Sequence, residues 1–390
     1  TGSFEVTGSA EFSYQSGSTG AGTWSTGGAL ANGARSNMGS AGTQDAGVVF
    51  GGQMAAATSG TGLTEEYDGS SWAAGATLTD SRWGLGGAGI QNAALAFGGR
   101  APSSVACTEE YNGIIWSGGG ALSDARYLMG SAGTQDAALA FGGYPGALKQ
   151  CTEEYNGTSW SGGGALQVGR YILAGAGTQN AALAFGGSVN GASTCTEEYD
   201  GSSWSTGGAM QVGRYNLGGA GTQNAGLAFG GYSNSTLSCT EEYNGTSWST
   251  GGALQVDRMC LRGAGTQTAG LAVGGQDASN AYLSCTEEYS ITTTYTPKKT
   301  FEYDGTTGDV DISGSFEISG SAAFLFSSGS TSAAVWSTGG ALSVARTGLG
   351  GAGTQNEGLA FGGYASTSQR VTCTEEYNGT AWSNGGALSQ

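Results

Sequence analysis

The residues best suited to chemistry in this sequence are paired glutamates that recur with one arginine per repeat. The tetrapeptide Thr-Glu-Glu-Tyr occurs seven times, as in Thr152–Tyr155. Two carboxylates could serve as the acid and the base of glycoside hydrolysis. Because the same pair recurs in every repeat, we interpret it as scaffold. On a strand, Glu153 and Tyr155 share one face and Glu154 points to the other, so at least one buried glutamate per repeat needs a partner, and the repeated arginine fits that need.

The cysteines give no sign of a metal site. The chain has seven cysteines and no histidine. Cys260 stands apart, and six precede a Thr-Glu-Glu-Tyr copy: Cys107, Cys151, Cys195, Cys239, Cys285 and Cys373. Without a CxxC spacing or histidine we expect no zinc, and equivalent positions in neighbouring repeats should be too far apart for disulfides. We therefore interpret them as small buried packing residues. Phosphate-binding loops and nucleophile elbows are also lacking, so we predict no catalytic residue, no metal and no cofactor.

The elements that carry these residues repeat with a constant period. Gly-Thr-Gln or Gly-Ile-Gln triplets begin at Gly89, Gly133, Gly177, Gly221 and Gly265, with a spacing of 44 residues. Each repeat contains four strand-like pieces, for example RYILAGAGTQ, NAALAFGG, CTEEY and TSWSTGG. Four strands in a repeat of this length are typical of a β-propeller blade. Asn-Gly and Asp-Gly pairs, such as Asn156-Gly157 and Asp200-Gly201, are interpreted as two-residue hairpin turns.

A longer repeat predicts how the ring closes. The leader at residues 1–23 returns at 313–335, an offset of 312 residues, and WSTGGAL follows both copies. The sixth repeat lacks its tryptophan strand, whereas Trp24 forms a fourth strand with no blade before it. We therefore predict an all-β chain: a leader (1–19), a six-bladed propeller closed by an N-terminal strand (20–290), a β connector with the duplicated leader (291–335) and the first blade of a second copy (336–390). A seven-bladed ring that includes Trp336 is the rival.

Composition narrows the class of partner. The chain of 390 residues carries a net charge of −17, with 77 glycines at fixed repeat positions. An acidic surface repels phosphate backbones, so we expect no nucleic acid partner. No apolar stretch is long enough to span a bilayer. Because the chain starts inside the pattern without a methionine, we expect a fragment or a processed product of a longer protein.

One end of the predicted propeller collects the variable residues. The segments between the double glycine and Thr-Glu-Glu-Tyr differ between copies, for example SVNGAST (188–194) and YSNSTLS (232–238). In an up-and-down meander these loops share an end with the connections that carry the arginine and often an aromatic residue. Aromatic rings beside hydrogen-bonding groups suit sugars or peptides. The predicted ligand-binding face comprises Trp83, Arg126, Tyr127, Tyr144, Arg170, Tyr171, Arg214, Tyr215 and Tyr232.

Three features resemble the kelch repeat: the strand ending in LAFGG, the stretch EYNGTSW (154–160) and the arginine that opens each unit. The resemblance covers most of residues 24–289 and 336–390 and implies a propeller of four-stranded blades. The usual proline near the arginine is lacking. Some kelch-type propellers are copper oxidases, whose metal site needs the histidines that this chain lacks. The duplicated leader resembles Gly-Ser β segments of structural proteins of marine bacteriophages.

Together these features predict a non-enzymatic protein at a virion surface or outside a cell. The leader resemblance favours a phage fibre, spike or decoration component that attaches to a host surface glycan or to other virion or filament proteins. A secreted bacterial carbohydrate-binding propeller and a structural filament subunit are the alternatives. We expect a homo-oligomer or a tandem array.

Overall fold

The computed structural model describes residues 11–19, 22–55, 60–291 and 293–302, and further along residues 342, 350–353, 358–361, 364–366, 369–370, 372–377 and 381–387. These residues form strands, turns and loops, without a helix. Accordingly, none of the described segments is a helix that could cross a membrane. Two compact units divide the chain: residues 15–296, and residues 1–14 with 297–390.

Six four-stranded antiparallel sheets form a closed ring in the larger unit. The first strand of each sheet contacts the first strand of the next, and the sixth contacts the first, so these strands surround a central axis. The ring is a six-bladed β-propeller, as predicted, and the seven-bladed alternative is wrong. It follows that each blade presents both of its faces to neighbours.

The strands of each blade are given from the axis outward. Blades 1 and 2 consist of Gly39–Gly42 (β3), Gly47–Phe50 (β4), Thr64–Tyr67 (β5), Trp72–Ala74 (β6), and Gly86–Ile90 (β7), Ala93–Phe97 (β8), Thr108–Tyr111 (β11), Trp116–Gly119 (β12). Blades 3 and 4 consist of Gly130–Gly133 (β13), Ala138–Phe141 (β14), Thr152–Tyr155 (β15), Trp160–Gly163 (β16), and Ala174–Thr178 (β17), Ala181–Phe185 (β18), Thr196–Tyr199 (β19), Trp204–Thr206 (β20). Blade 5 consists of Gly218–Thr222 (β21), Ala225–Phe229 (β22), Thr240–Tyr243 (β23) and Trp248–Gly251 (β24).

Blade 6 is completed by the N-terminal strand, which confirms the predicted closure. Its order is Arg262–Gly265 (β25), Ala269–Val273 (β26), Thr286–Ser290 (β27) and Thr23–Gly27 (β2). Trp24 pairs with Tyr289 just as the tryptophan and tyrosine of every other blade pair. Closure by this strand removes the exposed edges that a gap in the ring would leave. Glu11–Thr19 (β1) and Thr293–Glu302 (β28) form a two-stranded sheet, and Arg100–Ala101 (β9) with Ser103–Ser104 (β10) form a hairpin in blade 2.

Residues of the second unit are described by themselves. Gly350–Gly353 (β29), Gly358–Phe361 (β30), Cys373–Tyr377 (β33) and Trp382–Ala387 (β34) form a four-stranded sheet in the order of a blade. Tyr364–Ser366 (β31) and Gln369–Arg370 (β32) form a hairpin. The duplicated leader and Trp336 lie outside the described residues, so the second propeller copy stays a prediction.

The outer hairpin differs from the predicted two-residue turn. Tyr155 pairs with Trp160, so four residues connect the strands. Only Gly157 adopts a positive φ, of 87°. The Asn156 side-chain oxygen accepts hydrogen bonds from the backbone N–H groups of Thr158 and Ser159 at 3.0 and 2.9 Å. The Asx side chain therefore supplies the turn geometry, and a left-handed asparagine is not needed.

The hydrophobic core lies between the blades. Six apolar clusters each join two adjacent blades, including the pair of blades 6 and 1. In one of them, Phe141 of blade 3 packs on Trp204 of blade 4, with ring centroids 4.9 Å apart. Burial of apolar surface drives this packing, so no blade can bury its core alone.

The Thr-Glu-Glu-Tyr strand connects neighbouring blades by two hydrogen bonds. Trp204 Nε1 donates to Thr152 Oγ1 of the preceding blade at 2.9 Å. Tyr199 Oη donates to Glu154 Oε1 of that same blade at 2.5 Å. Both contacts occur at all six interfaces, including the closing one. The second glutamate of the motif is therefore a structural acceptor.

The glutamine of the Gly-Thr-Gln triplet forms a third connection. Gln179 Nε2 donates to the carbonyl oxygens of Ala138 and Tyr155 in the preceding blade, at 3.0 and 2.6 Å. Equivalent glutamines do so in every blade, and Gln44 of blade 1 reaches Gly270 and Tyr289 of blade 6. The triplet thus satisfies carbonyl groups at each interface.

A ring of backbone hydrogen bonds surrounds the axis at the end of the propeller where the connections between blades lie. One residue per blade donates its N–H to the carbonyl of its counterpart in the preceding blade, with N···O distances of 2.7–3.0 Å. All six residues have φ between 50° and 64°: Asn37, Gly84, Leu128, Ile172, Asn216 and Cys260. This left-handed conformation is strained for leucine and isoleucine. The closed ring of hydrogen bonds offsets that strain.

We predict that alkaline pH weakens the interfaces between blades. Burial and the hydrogen bond to the neighbouring glutamate raise the pKa of Tyr199 to about 12 from its ordinary value of 10.0, and four equivalent tyrosines shift alike. Unfolded tyrosines lose their protons near pH 10 while folded ones keep them, so the free energy of unfolding falls between about pH 10 and pH 12.

Urea unfolding at about pH 8.5 and pH 11 measures this loss. We expect a lower midpoint at the higher pH and a smaller decrease in Tyr199→Phe. Tyr282→Phe, a tyrosine outside this set, is the control. Equal midpoints at the two pH values would contradict the prediction.

Candidate ligand-binding face

The variable loops and the connections between blades lie at one end of the propeller. In each blade a β-bridge joins a connection residue to a loop residue: Ser36 to Gln53, Trp83 to Arg100, Tyr127 to Tyr144, Tyr171 to Ser188, Tyr215 to Tyr232 and Met259 to Gln276. The shared end predicted from the strand order is therefore confirmed. We call this end the loop face.

Double glycines let the loops leave the second strands sharply. Gly186 and Gly187 have φ values of 63° and 95°. A Cβ at Gly186 would lie 2.7 Å from the carbonyl oxygen of Arg214 in the next blade. Both the left-handed backbone and this close approach require glycine, so each loop begins from a fixed position.

The predicted arginines do not line the loop face, which corrects that part of the prediction. Arg126, Arg170 and Arg214 are 0% exposed. Each pairs with the first glutamate of Thr-Glu-Glu-Tyr in its own blade, as in Arg126–Glu153 at 2.9 Å. The alternative expectation, that each arginine pairs with a buried glutamate, is confirmed. Charges with so little exposure need such partners.

The buried pair also organises the segments beneath the loop face. Arg126 Nη1 donates to the carbonyl of Cys151 at 2.9 Å. Glu153 Oε2 accepts the backbone N–H and the hydroxyl of Ser123 at 2.7 and 2.6 Å. Since its two carboxylate oxygens are both occupied, this glutamate is a structural residue. Its neighbour Glu154 accepts from Tyr199, so the glutamate pair forms no acid–base dyad.

The cysteines before Thr-Glu-Glu-Tyr lie beside the arginines. Cys107, Cys151, Cys195, Cys239 and Cys285 are half-buried, less than predicted, whereas Cys260 is buried. Cys151 Sγ lies 2.6 Å from Arg126 Nη1. Burial raises the pKa of the Cys107, Cys151 and Cys195 thiols. These thiols are therefore less ionised than ordinary cysteines and less nucleophilic. In the described part of the chain, no cluster of three or more cysteine and acidic residues could hold a metal ion.

The aromatic residues of blades 2 to 4 form a continuous band. Successive ring centroids are 5.4, 5.7 and 5.6 Å apart along Trp83, Tyr127, Tyr144 and Tyr171. Arg100, which sequence analysis missed, lies over Trp83 and Tyr127 at 5.7 and 5.4 Å from the ring centroids. Tyr127 is only 7% exposed and serves mainly as packing within the band. The other three rings are half-exposed.

A cleft of about 540 Å³ lies between blades 5 and 6 on this face. Tyr215 and Tyr232 form one side, with ring centroids 5.4 Å apart. Mainly amide and hydroxyl side chains complete the lining, and the sequence analysis missed them. The remaining lining residues are Asn216, Asn234, Ser235, Thr236, Met259, Ala278 and Asn280. The structure thus divides the predicted aromatic residues between the band and the cleft.

The chemistry of the cleft is neutral. Each asparagine amide offers two N–H donors and an accepting oxygen, and each tyrosine offers a ring and a hydroxyl. Asn234 and Asn280 have φ values of 79° and 61°, which fixes their position in tight turns. Among the residues that the structure describes, those that line the cleft carry no charge. Such a combination of rings and amides matches the hydroxyl groups and apolar faces of sugars.

In comparisons with known proteins, no protein-family model matches this chain and no curated protein is significantly similar to it.

We predict that breaking one buried pair is far more costly than breaking an exposed one. Arg126→Met leaves the Glu153 carboxylate buried without its partner, so it should lower the free energy of unfolding by about 3–5 kcal/mol. Arg126→Met with Glu153→Leu should cost less than the two single changes together. Denaturant unfolding measures all three variants.

Lys149→Ala is the matched control, because the side chain of Lys149 is 26% exposed in its pair with Asp124. We expect this change to cost less than about 1 kcal/mol. If Arg126→Met were equally mild, the buried pair would not stabilise the blade as described.

Proposed function

We propose that this protein is a non-enzymatic adhesion or structural protein that uses the loop face of a kelch-type propeller to bind a surface glycan. The cleft between blades 5 and 6 is the observation that carries the proposal. It combines two tyrosine rings with three asparagine amides on the face where the copies differ most. A rigid scaffold with variable loops is a common arrangement for binding.

The distribution of constant and variable residues supports binding over catalysis. The glutamates, arginines, tyrosines, tryptophans and glutamines that recur in every blade all make contacts within or between blades. In the cleft, the polar and aromatic groups outside this framework are tyrosine rings, amides and hydroxyls. Such groups hold a neutral ligand by stacking and hydrogen bonding but provide no strong nucleophile, acid or base.

We place this activity at a virion surface or outside a cell, in a phage fibre, spike or decoration component. The resemblance of the duplicated leader to phage structural segments supports this placement, and an acidic chain with a net charge of −17 is a poor partner for nucleic acid. A secreted bacterial carbohydrate-binding propeller would use the same cleft. Copurification with capsid and tail proteins in isolated particles would favour the virion component over the secreted protein.

The test is binding of the chain to a polysaccharide panel and to intact marine bacteria. We expect Tyr215→Ala with Tyr232→Ala to weaken binding at least about tenfold, because the stacking surface is lost. Gln53→Ala is the matched control, since Gln53 occupies in blade 1 the position of Tyr232 in blade 5. It should bind like the parent. A folded chain that binds nothing on the panel, or a double variant that binds as well as the control, would overturn the proposal.

A structural filament subunit is the second candidate, and exposed isoleucines in blade 2 favour it. Ile114 and Ile115 are 75% and 56% exposed, where blades 1, 3, 4 and 5 carry Thr-Ser or Ser-Ser. Ile90 is 57% exposed where the other blades of the ring carry threonine. The two turns are adjacent, since Asn92 lies against Gly113. These side chains lie at the end opposite to the loop face and could bury each other in a contact between copies.

Sedimentation velocity over a range of concentrations tests this candidate. We expect the parent chain to self-associate and Ile114→Thr with Ile115→Ser to remain monomeric. The paired change restores the residues of blade 3, Thr158 and Ser159, so the hairpin should fold normally. Identical sedimentation of the two proteins would exclude this patch as a subunit contact.

A further inference from the structure

One position beside the axis differs in blade 6 from all other blades. At the start of the first strand, a glycine or alanine pairs across the sheet with a phenylalanine in five blades, as Gly130 does with Phe141. In blade 6 the pair is Arg262 and Val273. A Cβ at Gly130 would lie 2.2 Å from the Phe141 ring, and no residue larger than Ala174 stands opposite a phenylalanine in these blades, so the ring limits this position to small residues. The smaller Val273 therefore leaves the space that Arg262 occupies.

The guanidinium of Arg262 is only partly satisfied by the protein. Its Nε donates to the carbonyl of Met38 at 2.6 Å and its Nη1 to the carbonyl of Leu261 at 3.1 Å. Its Nη2 makes no hydrogen bond to any residue that the structure describes. Arg262 borders a cavity of about 90 Å³ on the propeller axis, lined by the first strands of all six blades.

Arg262 is half-buried and lacks the carboxylate that accompanies the six fully buried arginines. The six arginines of the Thr-Glu-Glu-Tyr pairs each contact a glutamate within the blade. Arg100, on the loop face, lies over aromatic rings. No carboxylate of the described residues lies within ion-pair distance of Arg262, and none lines the axial cavity. Partial burial lowers the pKa of this guanidinium, because no carboxylate offsets the loss of hydration.

The remaining lining of the cavity suits an anion. Apart from Arg262 it consists of small residues, Leu and Met side chains and the hydroxyls of Ser40 and Ser131. Ser40 donates its hydroxyl to the carbonyl of Gly263 at 2.8 Å. Ser131 accepts a hydrogen bond from the N–H of Gly87 at 3.4 Å, which leaves its proton available for donation. The first strand is the inner edge of each sheet. Some of its backbone N–H groups therefore face the axis without a hydrogen-bond partner in the sheet.

We propose that the axial cavity binds a small inorganic anion, of the size of chloride, on the guanidinium of Arg262. The volume has room for such an ion with a few waters. The anion would neutralise a half-buried charge in a chain whose six fully buried arginines are neutralised by glutamates. Its role is to stabilise the ring where blade 6 meets blade 1, because Arg262 of blade 6 donates to Met38 just before the first strand of blade 1.

The test measures chloride binding directly, by broadening of the ³⁵Cl NMR signal in solutions of the chain. Arg262→Gly with Val273→Phe recreates the pair found in blade 3, so the variant keeps a packing arrangement that the fold already uses. We expect saturable broadening with the parent chain and its loss in this double variant. Arg100→Gln, which removes an arginine of the loop face, should broaden the signal as the parent does.

Two results would overturn the proposal. One is equal broadening by the parent and the double variant, which would place chloride elsewhere. The other is no saturable broadening by the folded parent, which would mean that water alone solvates Arg262. If the double variant fails to fold, crystals of the parent grown in bromide decide the question. An anomalous peak beside Arg262 Nη2 supports the site, and the lack of one excludes it.

Discussion

Each blade depends on a buried arginine that joins segments far apart in the chain. Arg126 pairs with Glu153 on the third strand and donates to the carbonyl of Cys151 at the end of the variable loop. Its own carbonyl accepts the N–H of Gly99 from the preceding blade. An unpaired buried charge would be costly, so the loop end, the connection and the third strand remain together. The loop between Gly143 and Cys151 can then change without disturbing the blade.

Directional hydrogen bonds hold the blades of the ring together, just as the arginine pair holds the segments of one blade together. Apolar packing between blades is not directional, but the Trp–Thr, Tyr–Glu and Gln–carbonyl hydrogen bonds are. They fix the height and the angle at which successive blades meet, and they are the same at each of the six interfaces. The interface between blades 6 and 1 carries the full set, with Trp72 bonded to Thr286 and Tyr67 to Glu288. The ring therefore closes without a distorted joint.

The repeat made much of this architecture predictable from sequence. A constant period gave the number of blades, and the missing tryptophan of the sixth repeat gave the closing strand. The arginine–glutamate pair followed from the cost of burying charge. The contacts between blades were not predictable, because a strand pattern does not say which neighbouring atom a tyrosine hydroxyl reaches. The left-handed ring was also missed, since Leu128 and Ile172 carry no local turn signal.

The candidate site was predictable only in part, because it too depends on contacts between neighbouring blades. Strand order correctly placed the aromatic residues at the loop face. The arginine that recurs in each repeat is buried instead, because it pairs with the glutamate of its own blade. Asn234 and Asn280 of the cleft lie in loops of unequal length, so no repeat register locates them, whereas Asn216 lies at a repeating position of the left-handed ring. Arg100 falls just after a double glycine, at the place of Tyr144 and Tyr232 in other blades. Its position over Trp83 and Tyr127 depends on how neighbouring blades pack.

Differences between the copies divide into two physical kinds. Loop substitutions stand alone: Tyr232 replaces Ser188 at the same bridge position, and no other part of the framework changes with it. The axial substitution comes as a pair, because the cross-strand partner of Arg262 must shrink from phenylalanine to Val273 before an arginine fits.

The environments of the two kinds of position explain this difference. Loop positions border solvent on one side, so packing constrains their side chains little and the ligand is the main constraint. Axial positions border neighbouring blades and a narrow axial cavity, so a new charge there requires space and is better stabilised by a counter-charge. The Val273 side chain provides the space, and none of the described residues around the cavity provides a counter-charge. A counter-charge for Arg262 would therefore come from solution as an ion, whereas water alone would solvate the guanidinium and leave its charge in place.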